Sequence, residues 1–350
     1  MKRKRLWISF LICLSLFMTA CGTTESSENE QRQDEEEKIQ IGMSFDSFVI
    51  ERWQRDRDVF VSTAKEKGAE VNVQNANGDV EKQKKQIEYF IQKGMDVIVI
   101  ICIDSQALKE SVDKAKAEGI KVIAYDRLIA DADVDLYISF DNEMVGTIMG
   151  EALVANGLSD GNVLMLGGPL TDSNVYWLEE GFRTVMEQNQ VTVLDSIHAD
   201  GWRAELAAEY VYNNMDVVAQ ADAIMCGNDD LASKVVHALA EKRLAGEILV
   251  VGQDADLEAC QRIVEGTQVM TAYKPVEKLA KRAAECAVAL AKGEEIAGDD
   301  VTVIDNGKYQ VPYVGLKPIS VTEENINEII INSGFHLKED VYLNVPHKMP

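Results

Sequence analysis

The chain has 350 residues, with 35 Lys and Arg against 59 Asp and Glu and a formal net charge of −24. So acidic a surface repels nucleic acid and anionic lipid, which excludes both as direct partners of the folded body. The length is more than one modest core serves and suits two domains.

Lys2-Arg3-Lys4-Arg5 opens the chain, and an apolar run from Leu6 to Phe17 follows, broken only by Ser9, Cys13 and Ser15. A short apolar run behind positive charge is an export-signal pattern, too short to span a bilayer comfortably. Met18-Thr19-Ala20-Cys21 then places small residues before a cysteine. This resembles a bacterial lipoprotein signal, with Met18 where Leu is usual, and implies a signal peptide over 1–20 and lipid on Cys21. A secreted protein cut elsewhere, or a weak amino-terminal anchor helix, is the alternative. Gly22 to Lys38 holds no aliphatic or aromatic residue. Such a segment cannot offset its ordering entropy by burial, so residues 21–38 read as a disordered tether. The expectation is a soluble, monomeric body outside the cytoplasm, anchored to the outer face of the cytoplasmic membrane through the lipid.

Beyond the tether, β-rich runs alternate with helical ones. Ile39 to Phe45, Glu70 to Gln74, Asp96 to Ile103 and Lys121 to Tyr125 read as strands. Between them, Val49 to Lys67, Val80 to Lys93 and Ser105 to Glu118 read as helices by their apolar spacing. The run Asp96 to Ile103 (DVIVIICI) is apolar throughout, as a strand covered on both faces requires. The order βαβαβαβ implies a parallel sheet with helices on both sides. The pattern then restarts. Strands are expected at Leu136 to Phe140, Asn162 to Leu166, Val191 to Ile197, Ala223 to Cys226, Ile248 to Val251 and Gln268 to Tyr273. Helices are expected at Glu143 to Ala155, Val175 to Gln188, Arg203 to Val218, Asp230 to Lys242, Asp256 to Glu265 and Pro275 to Lys292. A strand, Val311 to Leu316, and a helix, Glu323 to Ile331, close the pattern. The fold class is α/β, two doubly wound parallel-sheet lobes. Residues 39–142 and 276–308 form the first lobe, 143–275 and 309–336 the second, and 337–350 a tail. The hinge has three segments, near Asp141–Met144, Lys274–Pro275 and Asn306–Gln310. Cys102, Cys226, Cys260 and Cys286 are widely spaced in apolar runs and read as buried, inert thiols, with no cofactor or metal.

In open α/β sheets, ligands bind outside the carboxyl ends of the strands. Here those ends carry Asp126-Arg127, Asp172-Ser173-Asn174, Asp200-Gly201-Trp202, Asn228-Asp229, Asp254 and Lys274, with Arg52, Trp53 and Arg55 following the first strand. Carboxylates and amide oxygens accept from sugar hydroxyls, cations and amide NH₂ groups donate to them, and an aromatic plane covers the ring's C–H face. Each residue has a plainer reading: an Asp after a strand is usually a helix N-cap, and a lone Trp is usually core. Their recurrence at successive strand ends favours a monosaccharide site.

Five segments carry a family resemblance: ERWQRDRD (51–58), AYDRLIADADVDLYISFDNE (124–143), GQDADL (252–257), GTQVMTAYKP (266–275) and SGFH (333–336). The body from Ile39 to about Phe335 resembles the periplasmic sugar-binding proteins of ABC importers, in their ribose and galactose branch, and most of all those for D-xylose. The resemblance implies the periplasmic-binding-protein type I fold, a D-xylose-like aldose as ligand and an ABC permease as partner. It implies that Arg52 and Arg55 donate from the first lobe, with Arg55 standing where Lys is common. Asp126 and Arg127 would pair on the sugar, and Asp172 and Asn174 would reach it from the second lobe, in a segment, GGPLTDSN, that departs from the family. Asn228, Asp254 and Lys274 would complete the ring. Trp202 would be the stacking plane and Trp53 its opposite face, unless Trp53 packs inward. No D-x-D-x-D-G calcium loop is present.

The sequence carries no G-x-S-x-G, P-loop, G-x-G-x-x-G or H-E-x-x-H motif, and its histidines lie away from the strand ends, so no enzyme is expected. The signal and tether occupy the place of a repressor's helix-turn-helix. A sugar co-receptor for a membrane histidine kinase is the alternative to transport.

Overall fold

The computed structural model describes residues 38–350; the signal peptide over 1–20, Cys21 and all of the tether but Lys38 lie outside the described residues. The first lobe runs β1 (Ile39–Phe45), α1 (Arg52–Glu66), β2 (Ala69–Asn75), α2 (Val80–Gln92), β3 (Val97–Ile100), α3 (Lys109–Ala117), β4 (Lys121–Tyr125) and β5 (Leu136–Phe140). The second runs α4 (Asn142–Ala155), β6 (Asn162–Gly167), α5 (Ser173–Gln188), β7 (Thr192–His198), α6 (Ala204–Asn213), α7 (Met215–Val218), β8 (Ala223–Cys226), α8 (Asp229–Glu241), β9 (Leu249–Gln253), α9 (Leu257–Glu265) and β10 (Met270–Tyr273). The chain returns through α10 (Val276–Ala291), β11 (Val301–Asp305) and β12 (Gln310–Leu316), and ends with β13 (Ile319–Val321) and α11 (Lys338–Val341).

The first sheet has the order β11-β12-β5-β4-β3-β1-β2 and the second β13-β10-β9-β8-β6-β7. Within each, only the late edge strand is antiparallel, β11 to β12 and β13 to β10. Alternate residues face opposite covers, as strand geometry dictates. Val97 and Val99 of β3 join a core with Trp53 and Phe60 of α1 and Leu279 of α10. Ile98 and Ile100 join another with Ile87 and Phe90 of α2. Local chemistry sets the helix ends. Asp79 accepts from the Lys82 amide at 3.0 Å, Asp141 from the Met144 amide at 2.9 Å, and α9 stops at Gly266 in the left-handed region. Cys102, Cys226, Cys260 and Cys286 are buried free thiols.

The structure corrects five sequence readings. Residues 310–316 belong to the first lobe, because β12 pairs parallel with β5 (Tyr313 beside Tyr137) and antiparallel with β11. The stretch 306–310 is therefore no crossing. It is the β11–β12 turn, pinned where the Asn306 side chain donates to the Ile129 and Ala132 carbonyls at 3.1 and 2.6 Å. The third crossing is Lys317–Pro318, between β12 and β13, and joins the crossings at Asp141 and at Lys274–Pro275. Residues 337–350, set apart as a tail, pack on α9 of the second lobe: Gln261 donates to the Asp340 carbonyl at 2.8 Å, Lys348 to the Val264 carbonyl at 2.8 Å, and Val341 and Tyr342 are buried. The expected helix over 203–218 breaks at Asn214, and that over 323–331 is a π-helical turn at Asn327–Ile331.

Candidate functional site

The carboxyl ends of both sheets converge on one cleft, and the side chains there form two linked charge clusters. In one, Arg52 from the start of α1 places Nη1 2.9 Å from Asp126 Oδ2 after β4, and 3.9 Å from Asp254 Oδ1 after β9 of the other lobe. Lys274, at the second crossing, lies 3.0 Å from the same Asp254 oxygen. In the other, Arg127 spans the lobes: its Nη1 donates to Asp46 Oδ2 at 2.8 Å and to the Cys102 carbonyl at 3.0 Å, while its Nε lies 2.7 Å from Asp172 Oδ2 after β6. Trp202 Nε1 donates to Asp172 Oδ2 at 3.2 Å, so the same carboxylate fixes the indole. Asn174 joins the clusters, donating to Asp126 Oδ1 at 3.1 Å.

All these charged groups are nearly buried, Arg52 at 6 %, Asp126 at 4 % and Asp172 at 2 % exposure. Burying paired charges costs desolvation that only good geometry offsets, so the arrangement is unexpected in a region that serves stability alone. Burial would raise the Asp126 carboxyl, but Arg52, Lys274 and Arg127 together draw it below the usual range. Burial dominates at Asp172 and Asp46 and pushes both up, with Arg127 opposing. Burial would lower both guanidinium groups, but the carboxylates beside them hold each above its ordinary value.

Two further features mark the cleft. Asp126, Trp202 and Asp254 have φ of 65°, 58° and 98°, in the left-handed region that non-glycine residues avoid and that functional sites tolerate. Trp53 Nε1 and Gln253 Oε1 are buried without any hydrogen-bond partner in the protein. Arg127 Nε and Asp254 Oδ1 lie close to opposite charge yet make no aligned hydrogen bond. Buried polar groups are normally satisfied, so Trp53 Nε1 and Gln253 Oε1 stand out as a donor and an acceptor without partners, while Arg127 Nε and Asp254 Oδ1 are engaged in ion pairs.

Arg52, Asp126, Arg127, Asp172, Asn174, Trp202, Asp254 and Lys274 thus come together, while Asn228 is shown only capping its own helix, α8. Asp172 is also an N-cap, of α5, so for it the plainer reading holds beside the functional one. Trp53 is 1 % exposed and packs edge-on against Phe45, with the Arg52 guanidinium 4.5 Å and that of Arg127 5.7 Å from its ring centroid. It is core and cleft wall at once. Arg55 does not join the cluster: its guanidinium lies 4.0 Å over the Phe335 ring and donates to the Phe335 carbonyl at 3.1 Å. Asp46, Asp56, Tyr125 and Gln253 escaped the sequence reading. Asp46 directly follows β1 and Gln253 precedes Asp254, so the strand-end rule covered both; Asp56 stands four residues after Arg52, one helical turn on.

Two α/β lobes joined by three crossings around a polar cleft define an extracytoplasmic-type solute receptor, and comparison with known proteins agrees. Residues 41–295 match the family described as Periplasmic binding protein domain, and the chain belongs to that family, one of binding proteins and not of enzymes. It is 43% identical over 309 residues to a D-xylose-binding periplasmic protein of Haemophilus influenzae, covering 87% of this chain and 92% of that one. It is 42% identical over 309 residues to the protein of the same description in Escherichia coli, covering 87% and 93%. A solved ABC-transporter solute-binding protein of Clostridium phytofermentans with bound β-D-glucose superposes with a TM-score of 0.76 at 29% identity, over 86% of this chain and 99% of that one.

Proposed function

We propose that this protein captures a monosaccharide, D-xylose above others, by closing its two lobes, and hands it unaltered to an ABC permease. The observation that carries the reading is the alternation of buried donors (Arg52, Arg127, Asn174, Lys274) and acceptors (Asp126, Asp172, Asp254) around one cleft, with four polar atoms there lacking aligned partners. A neutral polyol uses both kinds of group at each hydroxyl, whereas a charged solute would leave half of them opposed. Trp202 supplies an apolar plane for the ring's C–H face. D-Xylose is favoured because relatives at 43% and 42% identity carry that description. The ligand binds through all of Arg52, Trp53, Asp126, Arg127, Asp172, Asn174, Trp202, Asn228, Asp254 and Lys274; Arg55 instead closes on Phe335. A pentose is preferred over its hexose counterpart where the wall fills the space of a hydroxymethyl group, a difference worth about 1–3 kcal/mol. Lipid on Cys21 holds the receptor at the outer face of the cytoplasmic membrane, and Cys21→Ser should release the chain from the membrane fraction. Titration calorimetry with a panel of pentoses, aldohexoses and amino acids tests the ligand. Heat with D-xylose first supports the reading; no heat with any pentose or aldohexose ends it.

A further inference from the structure

Arg52 reaches the cleft only because something else holds it. Its Nε and Nη2 donate to the two oxygens of Asp56, at 3.3 Å to Oδ2 and 3.1 Å to Oδ1, one turn further along α1. That two-point clamp leaves Nη1 for Asp126 at 2.9 Å and, across the cleft, Asp254 at 3.9 Å. Asp56 is itself fixed, since the hydroxyl of Tyr125 donates to its Oδ1. Tyr125 ends β4 and directly precedes Asp126. Asp56 and Tyr125 are both wholly buried, whereas the cleft groups they serve are slightly open. The strand that presents Asp126 therefore also braces the residue that aims Arg52 at it.

We propose that Asp56, braced by Tyr125, is a positioning residue for sugar binding: it selects the one Arg52 rotamer that presents Nη1 to the ligand, and touches no ligand itself. A free arginine side chain samples many rotamers and loses that freedom on binding; a guanidinium held in advance does not. The same arrangement recurs at Arg127, which Asp46 and the Cys102 carbonyl hold from behind. The inference rests on the reading of the cleft as a sugar site, but its test does not rest on it alone.

Two measurements on the full chain decide it. The first is ¹⁵N spectroscopy of the arginine side chains. In the wild type the Arg52 Nε–H signal should be distinct and slow to exchange with solvent; in Asp56→Asn it should merge with the exposed arginines, and in Tyr125→Phe it should broaden. An unchanged Arg52 signal in Asp56→Asn overturns the proposal, whatever the ligand proves to be. The second is a double-mutant cycle on D-xylose affinity. Asp56→Asn should weaken binding about tenfold in the wild type but less than twofold in an Arg52→Lys background, because its effect runs through Arg52. Equal factors in both backgrounds would make Asp56 merely structural and overturn the proposal. Should Asp56→Asn not fold, Tyr125→Phe, which keeps the carboxylate, carries both measurements, with about a threefold effect expected. Should the wild type bind no sugar, the ligand reading falls and the arginine spectrum still decides the positioning claim.

Discussion

Asp254 combines three features at one position: it directly follows β9 at φ 98°, it faces Arg52 and Lys274, and its Oδ1 lacks an aligned hydrogen bond. Removing its charge leaves buried Lys274 without its anion and, on the proposed function, takes away a charge-assisted bond to the sugar. Hydrogen bonds to charged groups contribute about 1.5–3 kcal/mol, and each 1.4 kcal/mol is tenfold in affinity. Asp254→Asn should weaken D-xylose binding about 100-fold in a tryptophan-emission titration, and Asp254→Ala more, because alanine tolerates that φ less well. Unchanged affinity in both would remove Asp254 from the site. One shell behind it, Asp229 accepts from Thr271 Oγ1 at 2.6 Å and Gln268 Nε2 at 2.8 Å. Burial nevertheless pushes its carboxyl up to about 7, with Arg262, Thr271 and Gln268 opposing. The folded state then holds this proton more tightly than the unfolded chain, so the stability this group contributes falls as pH rises from about 4 to about 7 and levels off above. The melting temperature of Asp229→Asn should therefore gain on that of the wild type between about pH 5 and pH 8. A constant difference across that window would refute the shift.

Helix pairing at the element scale depends on missing side chains. Gly146 on α4 and Gly181 on α5 let those helices approach until a Cβ on Gly146 would stand 1.8 Å from the Leu178 carbonyl oxygen, and one on Gly181 2.0 Å from that of Glu143. These obstacles are backbone, so the helices must separate to admit a methyl group. Gly146→Ala should cost about 3 kcal/mol or more, read as a drop in the denaturant midpoint with an unchanged slope. This contact, though it sets the seat of α5 and thus of Asp172 at its N-cap, left no periodic signal in the sequence. The parallel strands did leave one. Their apolar runs and the polar residues beyond them located two sheets and most of the cleft, including Asp126, Arg127, Asp172 and Asp254. The edge was harder to read. β11 is half exposed and reads as loop, so the hairpin that returns β12 to the first lobe was invisible and the third crossing was set too early. Arg52 and Arg55 differ for a similar reason. Sequence places both near the cleft on one helix, but only tertiary packing tells that Phe335, from the far end of the chain, lies against Arg55.

At the scale of the whole molecule, closure is written in bonds between lobes. Besides the Arg127–Asp172 pair, the Ser105 amide donates to the Thr171 carbonyl at 2.9 Å, the Leu128 amide to Ser173 Oγ at 3.1 Å, and Asn174 to Asp126 at 3.1 Å. All these pairs join the segments after β3 and β4 to residues 171–174, between β6 and the first turn of α5. The proposed function has the lobes rotate as rigid bodies about the three crossings, with the balance between open and closed forms set by these contacts and by whatever the cleft holds. A sugar shifts that balance only through groups it meets in both lobes at once, and the proposed function assigns that part to Arg52 and Asp126 on one side and Asp172, Asp254 and Trp202 on the other. Asp172 offers the cleanest test. Asn is as good an N-cap as Asp, so Asp172→Asn keeps α5 capped through its one amide oxygen, while an NH₂ group replaces the charged oxygen that Trp202 Nε1 meets and that Arg127 Nε faces across the cleft. In small-angle scattering, D-xylose should shrink the wild-type radius of gyration. The variant should start at a larger radius and reach the compact value only at about tenfold or more higher sugar, as the loss of one charged hydrogen-bond partner dictates. If sugar binds the wild type without changing the radius, closure is not how this cleft holds its ligand. If the variant tracks the wild type at every concentration, the Arg127–Asp172 bridge does not govern closure.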